Sequence, residues 1–222
     1  MSSKNIFPNY KELLLSLSVL LIWIPLLLFK NFIPKSLELW IIIISVGELI
    51  LLAPVFYFLA KKKINFRNIG FNKFKISGCF TSIGIWILAM VLNIIYILIL
   101  QQFDKQPQPD LIPLFKELNL PFAIALIFTG GIIAPIVEEV YFRGFLFSAF
   151  KSKFNWKYAA LISSIIFSFS HILPTSLLPI FVLGLAFAVI YQKTNSIYPS
   201  VIIHSANNLL ALVSTFIIAR GT

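Results

Sequence analysis

Long runs of apolar residues, separated by short polar stretches, dominate this chain of 222 residues. Seven runs can be distinguished, at residues 13–29, 39–60, 77–100, 120–150, 158–172, 177–191 and 197–218. A helix rises about 1.5 Å per residue, so about 20 apolar residues cross the roughly 30 Å hydrocarbon core of a bilayer. The pattern predicts an all-α, polytopic transmembrane helix bundle of about seven helices, within a range of six to eight.

The run at 120–150 is longer than one untilted span requires. It is interrupted by Gly130, Gly131 and Pro135. Proline has no backbone N–H and clashes with the preceding helical turn. We therefore expect a break or a strong tilt near Pro135.

Composition supports a membrane protein. Hydrophobic residues make up 59% of the chain and charged residues only 12%, which is too apolar for an ordinary soluble domain. No small-residue cleavage pattern follows the first run, so we expect it to be a retained anchor of a multi-pass cell-membrane protein. The single Cys79 provides neither a disulfide framework nor a cysteine-based zinc site.

The positive charges predict the topology. The chain has a formal net charge of +10, and its Lys and Arg residues concentrate between the apolar runs. The segment 61–75 contains six of them and no acid, which is typical of a cytoplasmic loop. The amino terminus is then also predicted to be cytoplasmic and the loop 101–119 to lie outside. We expect no nucleic-acid partner.

The stretch 138–144 places two glutamates and an arginine inside an apolar run, where charge is costly and function is the default hypothesis. On a helix Glu139 and Arg143 share a face and can pair, while Glu138 points about 100° away and stays free for other work. A purely structural interpretation is that both acids are neutralised and hold helices together. Glu48 is the other intramembrane acid. We expect its side chain to pair with a buried hydroxyl or an arginine rather than to line a cavity.

Both histidines of the chain, His171 and His204, fall in the last three apolar runs, and Asn208 shares a helical face with His204. A lone histidine is more often a structural residue than a catalyst. Glu138 and His171, however, each lie 16 residues from the turn between their runs, so an antiparallel pair of helices brings them to one level. The polar groups can therefore converge in a cavity between helices.

A carboxylate, two imidazoles and an amide can hydrolyse a peptide bond. In one mechanism Glu138 is the general base for a water that His171 orients, while His204 and Asn208 donate to the oxyanion. In the other, Glu138, His171 and His204 bind a zinc ion that activates the water. The residues leave this choice open, although the absence of a His-Glu-x-x-His pair excludes a soluble zincin.

Three motifs in this order resemble the CPBP family of intramembrane proteases, which includes the Rce1-type CAAX prenyl endopeptidases and the bacterial bacteriocin-processing and self-immunity (Abi) proteins. The motifs are Glu138-Glu139-x-x-x-Arg143, Phe167-x-x-x-His171 and His204-x-x-x-Asn208. The resemblance implies a variable amino-terminal half of helices and loops at 1–119 and a catalytic core at 120–222.

The resemblance also implies a role for each motif residue. It implies that Glu138 is the general base and that His171 lies beside it. It also implies that His204 and Asn208 stabilise the oxyanion, and that Glu139 and Arg143 support the site. The motif does not settle the use of a metal, although the family is usually named as metalloproteases.

The expected function is an intramembrane endopeptidase acting on membrane-associated peptides or proteins, in CAAX processing or in the maturation of bacteriocins or signal peptides. The alternative is a membrane protein that is not an enzyme: an immunity or regulatory factor, or an ion-coupled transporter. The internal repeats often found in transporters are not visible here. The expected cofactor is zinc or none. The bilayer and a membrane-associated substrate are the expected partners, and the oligomeric state is not predicted.

Overall fold

The computed structural model describes residues 7–28, 36–105 and 111–221, and within these ranges the chain is helical and contains no strand. The helices are α1 (Tyr10–Leu17), α2 (Leu20–Leu28), α3 (Leu37–Lys62), α4 (Ser77–Gln101), α5 (Ile112–Glu117), α6 (Leu120–Lys151), α7 (Trp156–Phe169), α8 (Pro174–Thr194) and α9 (Ile197–Gly221). Five of them, α3, α4, α6, α8 and α9, are long and apolar enough to cross a membrane. The predicted polytopic helical bundle is confirmed.

The first apolar run differs from the single span predicted at 13–29. It forms α1 and α2, and the end of the run lies outside the described residues. The hydroxyls of Ser16 and Ser18 donate to the carbonyls of Leu13 and Leu15, at 2.6 Å and 2.7 Å. Such side-chain bonds compete with the regular helical ladder, which explains the interruption after α1.

Helix α3 is not uniform along its length. A tight 3₁₀ segment, Glu48–Leu51, joins the α-helical parts Leu37–Gly47 and Leu52–Lys62. Pro54 follows this segment and has no N–H to donate to the carbonyl one turn earlier, so the ladder is already weakened there. The segment packs against the part of α6 just before its charged stretch, and this contact determines where Glu48 lies.

Helix α6 is the centre of the bundle. The break expected near Pro135 takes the form of two π-helical segments, Thr129–Ile133 and Glu139–Phe147, on either side of Ala134–Glu138. Every residue of Glu139–Phe147 is buried. Wider π-helical turns often occur at functional sites, and here the second one carries Glu139 and Arg143 directly after Glu138.

The segment that contains Ile69 approaches α6 closely at Gly144. A Cβ atom at this position would lie 2.9 Å from the backbone carbonyl oxygen of Ile69, so only glycine allows the contact. On the side of α1, the Tyr141 hydroxyl donates to the carbonyl of Ser16 over 3.0 Å. Both contacts hold the charged part of α6 in a defined position.

Candidate active site

The two neighbouring glutamates of α6 have different surroundings. The side chain of Glu139 is completely buried, and its Oε1 lies 2.8 Å from Arg143 Nη1 and 3.0 Å from His204 Nδ1. The side chain of Glu138 is 12% exposed and lies on the wall of a cavity. The structure therefore pairs Glu139 with Arg143 and leaves Glu138 facing open space.

Arg143 is held by groups from two other helices. Its Nη2 donates to the carbonyl of Gly184 over 3.0 Å, and its guanidinium lies 4.3 Å from the ring centre of Phe167 and 5.3 Å from that of Phe187. A Cβ at Gly184 would lie 2.9 Å from the Phe167 ring, so this glycine makes room for the stack. The buried charge is therefore both paired and hydrogen-bonded, and it fixes the position of Glu139.

His204 contacts both glutamates. Its Nδ1 is hydrogen-bonded to Glu139, its ring stacks on Phe187 at 4.5 Å, and its Nε2 lies 3.6 Å from Glu138 Oε2. An ionised carboxylate can only accept, so Nδ1 carries the hydrogen, and in the neutral ring Nε2 has a free lone pair. Glu139 thus sets the tautomer and orientation of His204.

His171 lies just beyond α7, which ends at Phe169. Its Nδ1 is 2.8 Å from the Phe167 carbonyl, and its Nε2 is 4.0 Å from Glu138 Oε1. A carbonyl only accepts, so Nδ1 again carries the hydrogen and Nε2 faces Glu138 with its lone pair. The next residue, Ile172, has a φ of +60°, which is unusual for a β-branched residue and turns the chain away.

The predicted oxyanion donor Asn208 reaches the same cavity, but its amide is engaged. Its Nδ2 donates to the Gly130 carbonyl over 3.1 Å, at the first π-helical segment of α6. Its Oδ1 lies 3.4 Å from Asn207 Nδ2, and Asn207 Oδ1 accepts from Trp86 Nε1 over 3.2 Å. One of the two Nδ2 hydrogens is thus engaged, and the other is the one that can donate to a substrate oxygen.

The cavity has a volume of about 440 Å³, and its wall includes Glu138, His171, His204 and Asn208. It also includes Glu48, whose residue surface is only 5% exposed. The Oε1 of Glu48 is buried and has no hydrogen-bond partner in the described part of the chain. The favoured sequence interpretation, in which Glu48 pairs with a hydroxyl or an arginine, is therefore wrong. The 3₁₀ segment turns this side chain toward the cavity.

In its described ranges, the structure shows no preformed set of ligands for the zinc ion of the alternative mechanism. Among the residues that it describes, no three His, Cys, Asp or Glu side chains are grouped so that they could hold a metal ion. The two histidines approach different oxygens of Glu138, His171 facing Oε1 and His204 facing Oε2.

These features define a polytopic helical membrane protein with glutamates and histidines grouped inside its bundle. Residues 120–210 match the family model described as "Type II CAAX prenyl endopeptidase Rce1-like". The resemblance to the CPBP family of intramembrane proteases is thereby confirmed for this segment. All seven motif residues lie within it, whereas Glu48 lies outside it.

Three relatives match parts of the chain. The "Putative membrane peptidase YdiL" of Bacillus subtilis (strain 168) is 34% identical over 88 residues, which are 40% of this chain and 36% of that protein. The "UPF0177 protein YxdF" of Lactococcus lactis subsp. lactis (strain IL1403) is 37% identical over 92 residues, or 39% and 50% of the two chains. An "Uncharacterized 24.3 kDa protein" of Escherichia coli is 26% identical over 144 residues, or 61% and 66%. No solved structure matches the chain significantly.

Proposed function

We propose that this chain is an intramembrane endopeptidase that hydrolyses peptide bonds of membrane-associated peptides or proteins. The observation that carries the proposal is the position of Glu138 between two imidazoles. Its two oxygens lie 4.0 Å from His171 Nε2 and 3.6 Å from His204 Nε2, at the wall of a cavity inside the bundle. The family match over residues 120–210 supports a protease.

The distance between Glu138 Oε1 and His171 Nε2 suits a bridging water. A water that donates both of its hydrogens over about 2.8 Å holds two acceptors roughly 4.4 Å apart. The observed 4.0 Å is close to this separation, and both atoms accept when Glu138 is the ionised base and His171 carries its hydrogen on Nδ1. Glu138 then takes one proton as the water oxygen attacks the carbonyl carbon, while His171 orients the other hydrogen.

Hydrolysis is completed by returning that proton. The tetrahedral intermediate carries a negative oxygen, and its collapse breaks the C–N bond as the leaving amine takes the proton from Glu138. His204 takes up one proton from solvent at Nε2 before the attack and keeps it through the cycle, so that Nε2 donates to the negative oxygen while Glu139 stabilises the imidazolium. The Asn208 amide provides a second donor through the Nδ2 hydrogen that is not bound to the Gly130 carbonyl.

The proposal extends to substrate class and orientation. We propose CAAX-type proteins, bacteriocins or signal peptides as substrates, because a cavity within membrane-spanning helices is reached most directly from the bilayer. We place the amino terminus in the cytoplasm because of the basic segment 61–75. The zinc mechanism would require Glu138, His171 and His204 to move together around the ion, which would then acidify the attacking water.

The test compares purified wild type with Glu138→Gln and His171→Gln on membrane-tethered peptides. We expect cleavage to fall about 10²- to 10⁴-fold in both variants, as is typical for loss of a general base or of its water-orienting partner. Glu117→Gln is the matched control, because Glu117 is an exposed acid at the end of α5. Equal cleavage by all four proteins, or none by any, would favour a transporter or an immunity factor.

A further inference from the structure

Glu48 is an acid of the cavity wall that the mechanism does not use. It begins the 3₁₀ segment of α3, and more than nine-tenths of its surface is buried. It lies outside the segment that matches the protease family. Keeping a carboxyl group buried is costly, so its presence in the cavity calls for a compensating partner.

The described protein groups near Glu48 do not supply that partner. Its Oε1 has no hydrogen bond. The hydroxyls of Ser45 and Thr129, which line the same cavity, are 3.2 Å apart, and Thr129 donates to the Ala125 carbonyl over 2.8 Å. Oε1 of Glu48 therefore has no partner among the described residues, and a rotation of the side chain would present it to a group that enters the cavity.

The charges of the wall indicate what kind of group fits. Glu48 and Glu138 both line the cavity, and no Lys or Arg is among the described residues that line it. Arg143, the nearest buried cation in the site, is turned toward Glu139 and the Gly184 carbonyl. A positively charged donor would complement this wall, because charge-assisted hydrogen bonds are about twice as strong as neutral ones.

Glu48 and Glu138 lie at the same depth in the bundle. Glu48 is 13 residues before Lys61 and Glu138 is 13 residues before Lys151, so each lies roughly 20 Å from the basic end of its helix. The 3₁₀ segment that carries Glu48 also packs directly on Ala134–Glu138. A group bound to Glu48 is therefore close to the bond that Glu138 would attack.

We propose that Glu48 is a specificity residue that binds a lysine or arginine side chain of the substrate near the scissile bond. The inference rests on the proposed endopeptidase function and adds a substrate class to it. A buried charge is tolerated when it is paired. The cation of the substrate therefore offsets the cost of burying Glu48, and Glu48 offsets the cost of burying the cation.

The test uses membrane-tethered peptides that differ only at one position beside the scissile bond, which carries lysine, glutamine or norleucine. Norleucine keeps the length and apolar stem of lysine and removes the ammonium group. We measure kcat/KM for each peptide with wild type, Glu48→Gln, Glu48→Asp and the control Glu117→Gln, and we check folding by thermal unfolding.

We expect wild type and Glu117→Gln to prefer lysine over norleucine by about tenfold or more, with glutamine between them. The preference should fall to near unity in Glu48→Gln and survive in part in Glu48→Asp, which keeps the charge. A wild-type ratio of one, or an unchanged ratio in Glu48→Gln, would overturn the inference without touching the proposed protease. Absence of any Glu138-dependent cleavage would instead count against the protease itself.

Discussion

Replacing each of the two neighbouring glutamates by glutamine separates a structural acid from a catalytic one. Glu139 Oε1 forms a buried ion pair with Arg143 and accepts a hydrogen bond from His204, whereas Glu138 Oε2 is buried without a hydrogen-bond partner. Glutamine has nearly the same shape as glutamate, but it removes the charge and replaces one acceptor oxygen by an NH2 donor. We therefore expect Glu139→Gln to lower stability and Glu138→Gln to lower activity.

The magnitudes follow from these contacts. Breaking a buried ion pair on one side costs about 3–5 kcal/mol, and the glutamine oxygen of Glu139→Gln still accepts the hydrogen bond from His204, so we expect about 3 kcal/mol. At roughly 2–4 °C per kcal/mol for a chain of this size, Tm falls by about 6–12 °C. Glu138→Gln should shift Tm by less than about 2 °C, because no hydrogen bond is lost, while cleavage falls about 10²- to 10⁴-fold.

Thermal unfolding of the purified proteins in one detergent, together with peptide cleavage below Tm, measures both effects. Glu139→Gln should also lose part of its activity, because His204 loses the acceptor that orients it. The assignment of the two roles would be refuted if Glu138→Gln had as low a Tm as Glu139→Gln, or if Glu138→Gln cleaved peptides at the wild-type rate.

Three further predictions concern packing, pH and metal. Gly144→Ala should lower Tm by several degrees because its Cβ meets the Ile69 carbonyl at 2.9 Å, whereas Gly84→Ala, which meets no atom within 4 Å, should not. The Lys62 ammonium, 2.8 Å from Glu12, holds the pKa of that carboxyl at about 2 instead of 4.5. This stabilisation is complete above pH 4.5 and is lost as the pH falls through 2, so Tm of wild type should drop across this window more than Tm of Glu12→Gln. Treatment with 1,10-phenanthroline should leave cleavage unchanged, because the described residues include no grouped metal-ligand set; loss of activity that zinc restores would establish the metal mechanism.

The residues of the candidate site were accessible to sequence reasoning to different degrees. Glu139 and Arg143 are four residues apart, so their pairing depends on one helix and could be predicted locally. His171 could be placed beside Glu138 because a short turn joins their helices. Glu48 could not be placed, because the 3₁₀ segment that turns it toward the cavity leaves no clear signal in the sequence.

The sequence by itself determined the membrane class, most of the spans, the basic segments that predict orientation, and the set of intramembrane polar residues available for chemistry. These follow from the length of apolar runs and from the cost of charge in lipid, which are properties of single segments. The tertiary structure alone decided that His204 contacts both Glu138 and Glu139, that the Asn208 amide is held by Gly130, and that Glu48 shares their cavity. Those contacts depend on how helices rotate and pack against one another, and no local pattern encodes that rotation.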